Sequence, residues 1–508
     1  MRSLTLELLA AQKGQSAVPY VKVEAHDRIG GVVRLAWQRL YTGAEPDGYH
    51  AAAMPADGSL LRARVAGGQL YYQRSASPGP GADFSLWTAL GSVADAGVAL
   101  AAQGQSALLF YVGTSGTTIY LRESSDSGQS LGAAAALATA PAAVGWLAVA
   151  LKADGTALLI YSAGSTVYRL KRTGGVWGSP QAWSNSVASV AGLACHYDGD
   201  FNVIVCGSDA QGVAKLWICI YGDGFSQAPD TWSALWEVTR ASSGSGMEFR
   251  APALGRPDGY RLFFVERYTP SQAYSRPYFS HMPVATDYVS NLWREPVPFD
   301  LASTYGLALA HGGAYAWLSA PFGVWRAPLS PATLDVSADV VEAVLEEGPF
   351  GGRGQVVLRN EDGRYSGPPA PLRLGDEVRI SPGYATTVGP QASAGPAGWV
   401  AGYEYGSGPG RATLRLHLRD AWSLLEGWRA RRQYAWAAGE KNVFQLLSFI
   451  LARAGLPLSA LGATSGSLSN LYPACTIHPD ERGSLAARRL LSLVPDVLFF
   501  RGHFGYVK

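Results

Sequence analysis

From about residue 32 to 329, short segments rich in Val, Leu, Tyr and Trp alternate with turns of Gly, Asp, Ser or Asn, about every 8 to 12 residues. That spacing predicts antiparallel β-strands joined by tight turns. A longer repeat lies under it. Each unit opens with a small apolar run (VALAA, GWLAVA, VAGLAC, APALG, YGLALA). It then turns at Gly or Asp and enters a second strand (ALLFYV, ALLIYS, FNVIVC, YRLFFV, AYAWLS) and a third. A marker follows: Trp37 in WQRL, Trp87 in WTAL, Leu131 in SDSGQSLG, Trp177, Trp232 and Trp293. The markers recur about every 51 residues, the length of one four-stranded propeller blade. The last unit, about Ser303 to Pro328, lacks its marker, which lies instead at the other end in VVRLAWQRLYTG. A ring of separate sheets must be locked where its ends meet. A six-bladed β-propeller over residues 32–329, closed by residues 32–44, is therefore expected.

From Leu334 the pattern changes to longer alternating strands: VVEAVLEE, GQVVLRN, DEVRISPGY, GWVAGYEY and RATLRLHLRD. In TLRLHL, Leu414, Leu416 and Leu418 share one face, as a half-buried strand requires. Residues 330–420 thus read as a β-barrel, and 421–508 as a small helical and α/β part. Its helices start at an Asp420 cap, an Asn442 cap and a Ser484 cap. Strand VLFF and Tyr506-Val507 end the chain in what reads as an unfinished hairpin, so this part is expected to be incomplete. In residues 1–31, Pro19 to Glu24 alternate like an edge strand. If the propeller ends are adjacent, that strand emerges beside Leu334 and pairs with the barrel, with VVEAVLEE as the expected partner. The propeller is then an insertion. The fold class is mainly β.

Composition supports this. Gly is 60 of 508 residues, charged residues are 16%, and formal charge is +2, a balance that disfavours helical bundles, disorder and phosphate-backbone binding. No specific nucleic-acid partner is expected. The four cysteines are too few for a disulfide framework and form no CxxC pair, so they read as buried small hydrophobes. Glu7 interrupts the N-terminal apolar stretch, and no run of 18 or more apolar residues occurs, so neither a signal peptide nor a membrane span is expected.

Candidate chemistry is sparse. Ser124 to Leu131 fit the S-x-D-x-G-x-x-W turn, the Asp-box, with Leu131 in place of Trp; the stretch resembles the structural turns of sialidase-like propellers, where it lies away from the catalytic face. Gly128 to Gly132 also read as G-x-S-x-G, but a nucleophile elbow needs a helix after it, and AAAALATAP opens the next blade. The eight histidines show no metal-ligand spacing, and no Gly-Lys dipeptide allows a P-loop. No catalytic residue, metal or cofactor is predicted. The suggestive binding feature is the insertion ERYTPSQAYSRPYFSH, residues 266–281, read as a long loop. Its Arg267, Tyr268, Tyr274, Arg276 and Tyr278 could stack on sugar rings or anchor a protein partner.

Residues 334–508 resemble the hub proteins at the tail tip or baseplate of tailed bacteriophages. The resemblance rests on Val357-Leu358-Arg359-Asn360-Glu361-Asp362-Gly363-Arg364-Tyr365 ahead of Leu374-Gly375-Asp376. It continues through Val378-Arg379-Ile380, Gly383-Tyr384, Asp420-Ala421-Trp422 and the unit from Arg488 to Phe500. It implies a virion structural protein, made in the host cytoplasm. Its partners would be other tail proteins and two further copies of itself, as a homotrimer around the tail axis. The propeller would be a peripheral module for host attachment, binding a cell-surface glycan. The alternative is an extracellular carbohydrate-binding or glycoside-hydrolysing propeller protein.

Overall fold

The computed structural model describes residues 5–507 except 14–17, 27, 30–31, 34–36, 44–47, 185, 226, 242–244, 256–259, 270–273, 284–296, 300–305, 313, 322, 329–332, 349–350, 367–370, 432, 457, 461–463 and 502–503. The chain is mainly β. It divides into two compact units, one built from Met1–Arg34 and Ser330–Lys508, the other from Leu35–Asn291 and Pro296–Leu329.

The second unit is a succession of small antiparallel sheets, numbered here I to VI. Sheet I holds Tyr49–Ala53, Leu60–Ala66, Gln69–Ser75 and Thr88–Ser92, and sheet II holds Ala99–Gln103, Ser106–Val112, Thr118–Ser124 and Ala135–Thr139. Sheet III runs from Val144–Leu151 to Gln181–Trp183, sheet IV from Ser189–Asp198 to Trp236–Arg240, and sheet V from Glu248–Gly255 to Val297–Pro298. Sheet VI takes Ala308–Gly312, Tyr315–Ala320 and Gly323–Pro328 from one end of the unit and Gln38–Thr42 from the other. Its register pairs Arg326 with Gln38 and Gly323 with Thr42.

Second strands such as LLRARVA and ALLIYSA are buried at every position, because each sheet is covered on both faces by its neighbours. Apolar clusters fill the gaps between sheets I and II (Leu61, Leu109), II and III (Phe110, Leu159), III and IV (Leu158, Val203), and VI and I (Val324, Leu60). Each buried Leu or Phe contributes about 2 kcal/mol of transfer free energy. The markers plug these gaps, each facing the sheet before its own. Leu131 packs into the I–II cluster, Trp177 lies edge-on to Phe110 at 5.5 Å, and Trp232 stacks on Trp183 at 4.2 Å. Trp37 lies edge-on to Phe264 at 5.3 Å. Trp293 falls outside the described residues.

The first unit is built on one eight-stranded sheet. Its order is Thr333–Asp335, Val18–His26, Glu377–Thr386, Ala397–Gly408, Arg411–Arg419, Gly351–Arg359, Val340–Gly348, with Gly389–Ala392 added on Glu377–Thr386. Val18–His26 pairs along its whole length with Glu377–Thr386, not with VVEAVLEE (residues 340–347), and His26 also pairs with Thr333. The expected barrel is not closed: among the described residues Thr333–Asp335 and Val340–Gly348 are edges that do not pair. The turn Ser337–Asp339 joins these edges, so the sheet curls until they come within reach of a few residues. The turn is tied to the neighbouring strand, with the Ser337 hydroxyl accepting from the Val23 amide at 2.9 Å and the Val336 amide donating to the Val23 carbonyl at 3.0 Å.

One face of this sheet carries the predicted Leu414, Leu416 and Leu418 with Val23, Val356, Leu358 and Ile380. Ala397 and Trp399 join a second core beneath the helices, with Leu447, Ile450 and Leu490. The tight turn from Asn360 to Gly363 has Gly363 at φ +71°, a conformation that suits glycine. It does not form a hairpin, because the strand after it, Glu377–Thr386, is not a neighbour of Gly351–Arg359. Tyr365 anchors it instead, its hydroxyl donating to Asp339 at 2.6 Å, and burial pushes that phenol's pKa up.

The helices are Leu6–Lys13, Trp422–Gly427, Val443–Arg453, Gly466–Asn470 and Gly483–Leu491. Asn442 caps Val443–Arg453 in a reciprocal capping box with Gln445. Asn442→Ala is expected to lower the stability of this unit by about 1 kcal/mol, read from the denaturant midpoint; an unchanged midpoint would show the box to be dispensable. Ser484 lies inside its helix, with Arg482 at the cap, so that expectation is corrected by two residues. The last strand, Phe504–Val507, is paired on both sides, by Leu498–Arg501 and Leu458–Ala460. None of the described helices is long and apolar enough to cross a membrane.

Candidate binding site

Residues 266–269 and 274–281, read as parts of a long loop, belong instead to two ten-residue strands, Tyr260–Thr269 and Tyr274–Pro283, paired in register with Arg267 opposite Arg276, Val265 opposite Tyr278 and Thr269 opposite Tyr274. Tyr, Thr and Phe at alternating positions favour this extension of the hairpin, which composition alone had read as a loop. The register brings Arg267, Arg276 and Tyr278 onto one face. Arg267 lies 4.6 Å from the Tyr278 ring and donates to Met247 Sδ at 3.0 Å, and Arg276 donates to the Phe299 carbonyl at 3.5 Å. Tyr268 is on the opposite face, where Arg250 stacks 3.6 Å from its ring and pairs with fully buried Glu266 at 2.9 Å. Tyr274 is placed by register only. Four of the five residues thus already engage neighbours within the sheet.

The Asp-box turn holds as a folding device. Asp126 accepts from the Ser130 amide at 3.0 Å and hydroxyl at 2.6 Å, and from the Ser124 hydroxyl at 2.7 Å. These bonds hold its carboxyl well below the usual range, at about 2. The chain then enters the strand Ala135–Thr139, so Ser130 does not sit on a strand-to-helix elbow. A carboxyl with a depressed pKa stabilises the fold above its ordinary value of about 4, and that contribution fades as pH falls toward 2. The melting-temperature gap between the protein and Asp126→Asn should therefore be largest at neutral pH and close between about pH 4 and 2. A gap that persists at pH 2 would mean the charge is not what the turn uses.

Two buried carboxylates are also committed to structure. Asp200 accepts from the amides of Asp223, Phe225 and Gln227 at 2.6, 3.3 and 3.2 Å, and Glu266 pairs with Arg250 as above. No group of three His, Cys, Asp or Glu among the described residues could hold a metal ion.

A different cluster lies at the seam between sheets VI and I. The strand Leu60–Ala66 sets Arg62 and Arg64 two residues apart, hence on the same face, in a run otherwise apolar and entirely buried. Arg62 donates through Nε to Ser319 Oγ of sheet VI at 2.9 Å, and through Nη1 to Gln73 Oε1 at 2.9 Å and the Phe84 carbonyl at 3.3 Å. Both guanidiniums lie 4.5 Å from the Trp87 ring, and Arg64 also lies 4.7 Å from Tyr71. His50 sits opposite Arg64 in the ladder, with its ring 6.4 Å from Trp87 and nearly perpendicular to it. Burial, then the charges of Arg62 and Arg64, push the His50 pKa well down, so the imidazole is neutral. Sequence reading passed over this cluster. The signal was there in LLRARVA, where two arginines interrupt a core strand at i and i+2.

No family model matches the chain, and no curated protein matches it. Among the solved structures to which the chain is similar is the SapL1 lectin in complex with alpha methyl fucoside, at 12% identity and TM-score 0.39, covering 59% of this chain and 98% of that one. Another is an alpha-L-arabinofuranosidase from Clostridium thermocellum, at 14% identity and TM-score 0.34, covering 52% of this chain and 95% of that one. A third is the tail protein from Neisseria meningitidis MC58, at 13% identity and TM-score 0.24, covering 33% of this chain and 44% of that one.

Proposed function

We propose that this chain is a structural component of a bacteriophage tail tip or baseplate hub, carrying a six-bladed propeller, residues 32–329, that binds carbohydrate on the host surface. In this reading residues 1–31 and 330–508 form the hub part, which assembles as a homotrimer with other tail proteins, and the protein acts by binding, without catalysis. The observation that carries it is the pairing of Val18–His26 with Thr333–Asp335 and Glu377–Thr386. A strand from before the small-sheet unit completes a sheet formed after it, so one compact body is inserted into another, the organisation of a platform bearing a recognition module. The commitment of Asp126, Asp200 and Glu266 to amides, hydroxyls and an arginine supports the non-catalytic role.

Electron microscopy of purified particles with a tagged copy of this chain tests the structural role. Label at the tail tip in threefold multiples is the expected result, and particles without label would reject it. A panel of neutral and acidic glycans tests the propeller. Binding without turnover is expected, whereas turnover lost on carboxylate substitution would favour a glycoside-hydrolysing propeller protein.

A further inference from the structure

We propose that His196 of sheet IV and His311 of sheet VI together bind one divalent transition-metal ion of the Zn²⁺ class, which ties these two sheets to each other. His196 lies on the first strand of sheet IV, Ser189–Asp198, and His311 on that of sheet VI, Ala308–Gly312. The two strands belong to different sheets and share no ladder, but both pack on the first strand of sheet V, Glu248–Gly255. That strand ends in Gly255, where a Cβ would come 2.9 Å from Leu309 Cδ2 and 3.1 Å from His311 Cδ2. Glycine there leaves room beside His311, and the two imidazoles come together with ring centroids 4.9 Å apart and planes inclined by 69°.

Two observations carry the assignment. The first is that spacing. A metal about 2.1 Å from a ring nitrogen lies about 3.2 Å from the ring centroid, so two imidazoles at an N–metal–N angle of about 100° have centroids about 4.9 Å apart. Both rings are half-buried, so an ion carrying its waters can reach them from solvent. An imidazole has two nitrogens, and each ring can give one to the metal while the other keeps a hydrogen bond within the protein, the usual arrangement of ligating histidines. The second observation is Asn202. It stands directly opposite His196 in the ladder, so both side chains leave the same face. It is 1% exposed; its Nδ2 donates to the Asp200 carbonyl at 3.2 Å, and its Oδ1 has no hydrogen-bond partner among the described residues. A buried amide oxygen without a donor is costly. A metal-bound water is a strong donor, because the ion draws charge from it, and it satisfies this oxygen. Asn202 is thus a positioning residue, and the protein ligands are the two imidazoles. Nitrogen ligands suit Zn²⁺, Cu²⁺ and Ni²⁺ and not Ca²⁺, which takes oxygens. With water in the remaining positions the site is open, and its ion exchangeable.

Calorimetric titration of the full chain with zinc chloride and calcium chloride tests this. Zn²⁺ should fill one site per chain more tightly than any other, and Ca²⁺ should not compete for it. His196→Gln and His311→Gln should each weaken that site about tenfold or more, and Asn202→Val by a smaller factor. His417→Gln, a histidine of the other unit, should leave it unchanged. Zn²⁺ should also raise the melting temperature of the parent chain and not that of either histidine variant. Melting curves without metal identify any variant that fails to fold. In that event Cu²⁺ on the unaltered chain decides, since its electron paramagnetic resonance spectrum should show coupling to two imidazole nitrogens. Coupling to fewer than two, or undiminished Zn²⁺ affinity in a folded histidine variant, overturns the assignment. Competition by Ca²⁺ overturns the metal class, and unchanged affinity in Asn202→Val overturns the part given to that residue. The glycan and tail-tip experiments are independent of all these outcomes.

Discussion

Gly128→Ala should destabilise the small-sheet unit by about 3 kcal/mol, seen as a lower denaturant midpoint with an unchanged slope. Gly128 has φ +73°, a conformation that costs an L-residue about 1 kcal/mol. It also lies against sheet I, so that a Cβ would come 2.3 Å from the Tyr72 hydroxyl and 2.7 Å from Leu61 Cδ2. Neither neighbour yields easily: Leu61 is fully buried, and Tyr72 donates to the Gly128 carbonyl at 2.8 Å. Arg74 holds the next carbonyl back, at Ser127, at 3.0 Å. The turn is therefore a rivet between sheets I and II. Ser127, at φ +59°, is the contrast: Ser127→Gly removes strain without adding bulk and should be neutral within about 0.5 kcal/mol. A Gly128→Ala protein as stable as its parent would show that the turn does not bear on sheet I.

Replacing residues 27–332 by Asn-Gly should leave a folded, soluble protein made of the eight-stranded sheet and its helices. His26 and Thr333 are direct antiparallel partners, so the whole small-sheet unit occupies the position of a hairpin loop. Asn-Gly suits a two-residue connection there. The expected result is a β-rich circular dichroism spectrum and one cooperative melting transition. Removing residues 1–26 as well should abolish that transition, because Val23 and Ala25, buried in the sheet core, leave with their strand. Aggregation of the Asn-Gly protein would show that the sheet depends on the inserted unit.

The repeat of small sheets was legible because burial on both faces turns second strands such as ALLIYSA into uninterrupted apolar runs, and because a large marker must fill each gap between sheets. Trp37 and Leu131 could be assigned from that logic alone. In the other unit, alternation in TLRLHL revealed which face is buried, but not which strand lies next to which. Val18–His26 alternates equally well against any neighbour, and its partner at Glu377–Thr386 is set by how the sheet curls. The Ser337 hydroxyl that ends the ladder at Val23 gives no periodic signal. The candidate residues illustrate a related point: tyrosines and arginines were weighed by type in residues 266–281, whereas pairing across two strands engages most of them. Arg62 and Arg64 were passed over, although the apolar residues around them in LLRARVA placed them in the core.

The partnership of His26 with Thr333 also dictates an order of assembly. Until the chain between them is compact, joining these residues means closing a loop of roughly 300 residues. Once sheet VI has brought Gln38 to Arg326, only about 17 residues remain in the circuit, which lowers the closure cost by about 2.5 kcal/mol. The N-terminal strand is made first, yet it has to wait for partners made after the inserted unit, and its capture becomes favourable when the intervening body has formed. Completion of the larger sheet thus follows compaction of the inserted unit, a built-in checkpoint on the folding of the chain.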